Sequence, residues 1–148
     1  MAKMVFINLP VADVAKATAF YEAVGAKRDA RFCDGSTSMM TFSDTIHIML
    51  LSHERFGQFT SKTIADAKRT AQVLVCFSED SRAAVDATTN RAVAAGGKAD
   101  PCPKQDYGFM YGRSFEDLDG RIIEVMWMDV EAALAAGSNA QHEQALSA

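Results

Sequence analysis

The chain has 148 residues, of which 49% are hydrophobic and 23% charged, and its formal net charge at neutral pH is -4. This predicts one compact domain, or two small modules sharing a sheet, that folds without disulfide bonds. The negative charge argues against a general nucleic-acid binder, and no apolar run is long enough to span a bilayer. Residues 1–4 begin no signal-like apolar segment, so we expect a cytoplasmic protein.

The first half of the chain predicts a strand, a helix and three further strands. Val5 to Leu9 is a short apolar run closed by Pro10, and Asp13 suits the N-cap of the following helix. That helix carries apolar residues at helical spacing and ends at Gly25. Strand-like runs follow at residues 27–33, 37–42 and 45–51. Residues 52–69 are polar with scattered aromatic residues and predict an irregular or briefly helical connector.

The second half repeats this order. Residues 72–77 predict a strand, residues 81–95 a helix ended by two glycines, and further strands run to residue 128. The two helix ends match at a constant offset of 71 residues, and residues 44–49 lie over residues 119–124. The repeat therefore predicts a duplicated βαβββ unit in which Met49 and Glu124 occupy equivalent places. Residues 130–136 predict a final turn or two of helix, and residues 137–148 a frayed end.

The hairpin predicted at residues 113–128 contains an unusual acid. Asp119-Gly120 between two strand-like runs is a strong hairpin signal, because glycine accepts the positive φ of a tight turn. Glu124 then lies among aliphatic residues, where an unpartnered buried carboxylate would be costly. It is therefore paired with Arg113 or Arg121, exposed on an edge, or functional. Buried without a metal, it would have a raised pKa and could act as a general acid or base.

The three cysteines do not indicate a disulfide framework or a thiolate zinc site. Cys33, Cys76 and Cys102 are an odd number and have no CxxC spacing. Cys76 lies in a strand pattern, and we expect it to be a small core residue.

These features resemble the vicinal oxygen chelate superfamily, which includes glyoxalase I, bleomycin-resistance proteins and extradiol dioxygenases. The resemblance covers about residues 4–129 and rests on Leu-Pro-Val-Ala-Asp at 9–13 with Phe20-Tyr21, on the Ala-Ala-Gly-Gly helix end, and on the segment 115–120 with Glu124. It implies an α+β fold of two pseudo-repeated βαβββ modules, forming a half-open β-barrel around a small-molecule cavity, and a homodimer. One glyoxalase-like domain would span 1–129, with module one at about 4–52, a connector at 53–70 and module two at about 71–129. Residues 130–148 would be a partly disordered C-terminal extension.

The resemblance also implies four metal-ligand positions, one from the first and one from the last strand of each module. Only Glu124 carries over as a good donor. The two positions in module one carry Phe6 and Met49, and the remaining position carries Gln72 or Leu74, depending on the register.

Two polar residues could substitute for the missing donors. Strand alternation puts Asn8 on the side of Phe6, and His47 on the side of Met49. Asn8 and His47 could thus converge with Gln72 and Glu124 on one cavity, although a structural histidine bonded to its neighbours is the simpler reading of His47. Tyr111 and Arg113 share a face of their strand and could clamp a ligand or simply pack in the sheet.

Two functions follow from these expectations, and whether the protein is an enzyme stays open. The first is binding of a small molecule in the barrel cavity without a cofactor and without the usual complete metal site. The alternative is a metal-dependent lyase, isomerase or dioxygenase that uses Glu124 and substitute ligands to hold Zn, Ni, Mn or Fe. We expect a small-molecule ligand and a second copy of the chain as partners, and neither nucleic acid nor membrane. Glu124 is the candidate catalytic residue and metal ligand, and the candidate ligand-binding residues are Phe6, Asn8, His47, Met49, Gln72, Tyr111, Arg113 and Met126.

Overall fold

The structure is a computed structural model that describes residues 2–137. Two mixed sheets each carry one long helix on one face, and the two halves of the chain build them in the same order. The predicted α+β fold of two βαβββ modules is confirmed. Among residues 2–137, no helix is both long enough and apolar enough to cross a membrane.

Module one forms sheet 1, whose strand order is β1-β4-β3-β2 with β1 and β4 parallel. Its elements are β1 (Val5–Val11), α1 (Val14–Val24), β2 (Lys27–Arg28), β3 (Thr37–Thr41) and β4 (Ile46–Ser52). The first strand continues through Pro10, where we predicted it to end, because an edge strand tolerates a residue without an N–H donor. The strand predicted at 27–33 is only two residues long. The carboxylate of Asp29 then accepts from the Arg31 amide and turns the chain into a short 3-10 helix, Ala30–Phe32.

Module two forms sheet 2, with the equivalent order β5-β9-β8-β6 and a short extra strand, β7, beside β8. Its elements are β5 (Val75–Ser78), α3 (Arg82–Ala94), β6 (Lys98–Ala99), β7 (Gln105–Asp106), β8 (Met110–Glu116) and β9 (Ile122–Met128). The strand predicted at 72–77 starts only at Val75, where pairing with Ile123 begins, so Gln72 lies outside it.

The connector and the C-terminal segment follow the expectations where the structure describes them. The connector contains one short helix, α2 (His53–Gly57), and is otherwise irregular up to β5. A last helix, α4, covers 130–137, and the Asp129 carboxylate accepts from the Ala132 amide at its start. The frayed end predicted at 137–148 falls, apart from Gly137, outside the described residues.

Each sheet packs one face against its helix and leaves the other open. Leu50 and Ile48 of β4 point to α1 and belong to the core, whereas the alternate residues His47 and Met49 point away from it. We call this second surface the open face of sheet 1; it also carries Phe6, Asn8, Met39 and Thr41. By the same alternation, the open face of sheet 2 carries Cys76, Ser78, Gly112, Ser114, Glu124 and Met126.

The two modules share one core, and polar bonds tie them along a seam. Phe42 of module one stacks on Phe77 of module two at 4.5 Å between ring centroids, and buried side chains of both modules form one cluster. The Asp-Gly turn of the predicted hairpin supplies the polar part of the seam. The buried Tyr21 hydroxyl donates to the Asp117 carboxylate at 2.7 Å, and Arg121 donates to both Asp117 and the Pro10 carbonyl at 2.8 Å.

Candidate functional site

A cavity of about 550 Å³ lies on the open face of sheet 1. This is the size of a typical small-molecule site. Three predicted ligand-binding residues, Phe6, His47 and Met49, line it. The full lining also contains residues that the sequence had not indicated: Met4, Asp29, Arg31, Phe32, Met39, Thr41 and Asp44.

His47 is the most unusual group in this cavity. Its side chain is only 4% exposed, and its ring stacks almost parallel on Phe6, with 4.9 Å between the centroids. Nδ1 lies 3.0 Å from the Thr41 hydroxyl, whereas the buried Nε2 has no hydrogen-bond partner among residues 2–137. Buried polar atoms are nearly always paired, so an unpaired ring nitrogen in a cavity wall needs an explanation.

A charged pair borders the same cavity. The Arg31 guanidinium donates twice to the Asp29 carboxylate, at 2.9 and 2.7 Å, and holds the pKa of that carboxyl below its usual value. Arg31 also lies 5.6 Å from the ring centroid of Phe32. Because Arg31 already neutralises Asp29 and is itself exposed, the pair makes a polar rim beside a lining that is mostly apolar.

Glu124 lies elsewhere, on the open face of sheet 2. Its neighbours in register are Cys76 on β5 and Ser114 on β8. The carboxylate is partly buried and forms no hydrogen bond or ion pair with any other residue in the range 2–137. Neither arginine that we considered as its partner contacts it, since Arg113 and Arg121 bind other carboxylates.

The prediction that Cys76 is a core residue is wrong. Its thiol is exposed, because β5 is an edge strand and Cys76 points to the open face rather than to α3. Desolvation of the sulfur and the nearby charge of Glu124 both raise the pKa of this thiol, which disfavours the reactive thiolate form.

The strand register decides which residue occupies the fourth metal-ligand position. Glu124 pairs with Cys76 as Met49 pairs with Asn8, so the residue equivalent to Phe6 lies two places before Cys76. That residue is Leu74, and Gln72 is an exposed loop residue.

The donor set does not fit a metal. The four positions carry two hydrocarbon side chains, one thioether and one carboxylate, whereas a catalytic zinc takes about three protein donors. In the part of the chain from 2 to 137, no three His, Cys, Asp or Glu side chains lie close enough together to hold an ion. The structure also does not bring the predicted substitutes together, since Asn8, Gln72 and Glu124 are not part of the cavity that His47 lines.

Tyr111 and Arg113 share a face of β8, as predicted, but that face points to α3. The Tyr111 hydroxyl donates to Asp86 at 2.6 Å, and Arg113 donates to Asp86 at 2.9 Å and to Asp100 at 2.8 and 3.1 Å. These carboxylates raise the pKa of Arg113. The Tyr111 hydroxyl and then Arg113 lower the pKa of Asp86, and Arg113 lowers the pKa of Asp100. The network ties α3 to sheet 2.

The last predicted site residue, Met126, lines a second cavity. This cavity has a volume of about 640 Å³, and residues of both modules line it, among them Phe42, Phe77 and Arg91. The sequence-predicted site residues are therefore divided between the open faces of the two sheets, the α3 side of sheet 2 and the loop before β5.

Comparisons with known proteins agree with the fold. Residues 3–125 match the family model of the Glyoxalase/Bleomycin resistance protein/Dioxygenase superfamily. No curated protein has a significantly similar sequence. A hypothetical protein from S. aureus has a similar structure, with a TM-score of 0.71 and 21% identity over 86% of this chain and 94% of that chain. A glyoxalase/bleomycin resistance protein/dioxygenase family enzyme from Burkholderia phytofirmans PsJN has a TM-score of 0.69 and 22% identity, over 86% of this chain and 99% of that chain. Lactoylglutathione lyase from Agrobacterium tumefaciens has a TM-score of 0.61 and 19% identity, over 86% of this chain and 94% of that chain.

Proposed function

Because the chain belongs to the Glyoxalase/Bleomycin resistance protein/Dioxygenase superfamily, we propose that it binds a small, largely apolar molecule on the open face of sheet 1, without the complete metal site of metal-using relatives. One observation carries the proposal. The two positions at which module one would supply metal ligands carry Phe6 and Met49, and both side chains line the cavity. Apolar groups stand where a metal site needs donors, and they favour burial of apolar ligand surface instead.

The lining suits ligands that vary in shape. Met4, Met39 and Met49 are flexible and polarizable, and Phe6 and Phe32 offer flat rings. Methionine side chains adapt to irregular apolar surfaces, whereas aromatic rings favour stacking with planar groups. We therefore expect the site to accept several planar apolar molecules.

We also propose that the protein is a homodimer. Apolar residues at and before the first strands of both modules are 45% exposed or more, namely Met4, Val5, Val73 and Leu74. A second copy that covers them would remove apolar surface from water.

Naphthalene is a suitable probe for the proposed site, since its own fluorescence reports transfer into an apolar environment. We expect saturable binding by the full chain and loss of that binding in Met49→Glu, which places a charge in the cavity wall. The matched control is Met126→Glu, a methionine on the open face of sheet 2, which should leave binding unchanged. Equal binding by both variants would contradict the proposal.

Native mass spectrometry of protein purified without chelator tests the metal and the dimer together. We expect the mass of two chains without a stoichiometric ion. Near-stoichiometric Zn, Ni, Mn or Fe would overturn the metal-independent function, and a single-chain mass would overturn the dimer.

A second candidate function is general acid–base catalysis by Glu124. The observation that favours it is a partly buried carboxylate without a bonded partner among residues 2–137. Lactoylglutathione lyase from Agrobacterium tumefaciens shares the fold. The test is turnover of lactoylglutathione, with Zn, Ni, Mn or Fe added in turn. Activity that Glu124→Gln abolishes while the fold persists would establish this candidate, and no turnover by the wild type would remove it.

A further inference from the structure

We infer that the Nε2 atom of His47 is the hydrogen-bonding group that orients the ligand in the cavity of sheet 1, and that Phe6 is the movable cover that gives access to it. The inference rests on the proposed function, because it assigns roles within the same cavity. It also narrows the ligand to a planar aromatic molecule that carries no negative charge and has one hydrogen-bonding group at the ring edge.

Two neighbouring strands hold the imidazole and leave one nitrogen free. In register, His47 on β4 lies between Phe6 on β1 and Thr41 on β3. Thr41 engages Nδ1 at 3.0 Å, and the Phe6 ring covers the imidazole face. Nε2 is buried and has no partner among residues 2–137. An unpaired buried nitrogen is costly to the folded protein, and a ligand group that pairs with it would recover that cost on binding.

Phe6 is the part of this arrangement that can move. It belongs to the edge strand of sheet 1, and 48% of its side chain is exposed although it is a large aromatic residue. Exposed side chains change rotamer within nanoseconds, so its rotation is not a slow step. When the Phe6 ring swings aside, an aromatic ligand can bring its hydroxyl edge to Nε2 in the plane of the imidazole, the direction in which a ring nitrogen forms hydrogen bonds.

The charges and the tautomer restrict the ligand. Asp29 and Asp44 are in the cavity lining, and the single cation, Arg31, is already bound to Asp29, so the lining disfavours an anion. The Thr41 hydroxyl can either donate to or accept from Nδ1, which makes Nε2 a donor in one case and an acceptor in the other. A ligand group that both donates and accepts, such as a hydroxyl, satisfies either tautomer.

The test compares two probes that differ by one hydroxyl, naphthalene and 2-naphthol. We expect wild-type full-length protein to bind 2-naphthol about fivefold more tightly, as one net hydrogen bond provides. In His47→Phe that preference should disappear, while naphthalene still binds. The matched control is His53→Phe, at an exposed histidine of α2 outside the cavity lining, which should retain the preference.

The outcomes distinguish failure of the proposed role of His47 from failure of the proposed binding function. If neither probe binds the wild type, the proposed function itself fails. If both bind equally well, or the preference survives in His47→Phe, the role of His47 is overturned. Should that variant not fold, the Nε2 resonance of nitrogen-labelled wild-type protein decides: 2-naphthol must shift it more than naphthalene does, and equal shifts overturn the role.

The cover role of Phe6 has its own readout, which is the rate of association. We expect Phe6→Ala to bind both probes several-fold faster, because the covering rotamer, which closes the site for part of the time in the wild type, no longer exists. An unchanged or slower association rate would contradict this role.

Discussion

The seam between the modules and the open face of sheet 1 differ in how completely their buried polar groups are hydrogen-bonded. At the seam, the Asp117 carboxylate accepts from the Tyr21 hydroxyl, from the Arg121 side chain and from two backbone amides of its own turn. On the open face, His47 is just as buried but leaves Nε2 unpaired among residues 2–137. Full pairing is typical of a group selected for stability, whereas an incomplete set is typical of a group that pairs with a ligand.

Among the substitutions considered, loss of the Asp117 carboxylate at the centre of the seam should lower the free energy of unfolding most. Asp117→Ala leaves the Tyr21 hydroxyl without its acceptor and the partly buried Arg121 guanidinium with the Pro10 carbonyl alone. Breaking one side of a buried ion pair costs about 3–5 kcal/mol, so urea unfolding should show a loss of that size. In the same turn, Asp119→Ala removes one exposed bond to the Ala12 amide and should cost less than about 1 kcal/mol. Similar losses in the two variants would contradict the central role of Asp117.

Substitution of Gly120, in the same turn, should cause the next largest loss of unfolding free energy. Gly120 has φ of 88°, and a Cβ there would lie 2.9 Å from the Lys68 Cα of the connector. Gly120→Ala therefore combines an unfavourable left-handed backbone with a clash against main chain, and we expect a loss of at least about 2 kcal/mol in urea unfolding. Gly35→Ala is the matched control, because a Cβ at Gly35 meets no atom within 4 Å. The prediction fails if both substitutions have the same small effect.

Tyr21 should make the seam sensitive to alkaline pH. Burial, and then the charge of Asp117, raise the pKa of Tyr21 well above its usual value. A raised folded-state pKa means that the stabilisation is complete below the unfolded pKa of about 10 and is lost as the pH rises above it. Tyr21→Phe should cost about 1 kcal/mol at neutral pH, through the lost hydrogen bond, and the difference from wild type should shrink above about pH 10. Urea unfolding at both pH values measures this, and a constant difference would show that Tyr21 is not the alkaline-sensitive group.

The sequence predicted the seam elements better than the cavity because their signals are local. Asp13 and Gly25 bound α1 within one short segment, and the structure has them as the two caps. Asp119-Gly120 predicted its turn from two adjacent residues. The contact between Phe6 and His47 instead depends on how two strands far apart in the chain align. Side-chain alternation predicts the strand face on which each of the two residues lies, but it cannot show that the two rings stack.

The wrong prediction for Cys76 and the open choice between Gln72 and Leu74 have a related cause. Side-chain alternation along a strand distinguishes its two faces but does not show which face a helix covers. The sequence therefore predicts Cys76 in the core, although its side chain points to the open face. Likewise, Gln72 and Leu74 are on the same side of an extended chain, and only the pairing of Cys76 with Glu124 distinguishes them. Register and coverage are properties of the assembled sheets.

The smallest expected effect has the opposite sign, and it is the sharpest test of the contrast between seam and open face. In the double variant His47→Phe with Thr41→Val, apolar groups replace both partners of the Nδ1 bond, and the unpaired Nε2 disappears as well. Replacing both partners by apolar groups of similar shape is nearly neutral or stabilising, so we expect unfolding free energy to stay equal or to rise by up to about 1 kcal/mol. The same protein should lose its preference for 2-naphthol over naphthalene. A loss of stability comparable to that of Asp117→Ala would instead mean that His47 is a structural residue like those of the seam, and the contrast between the two regions would no longer hold.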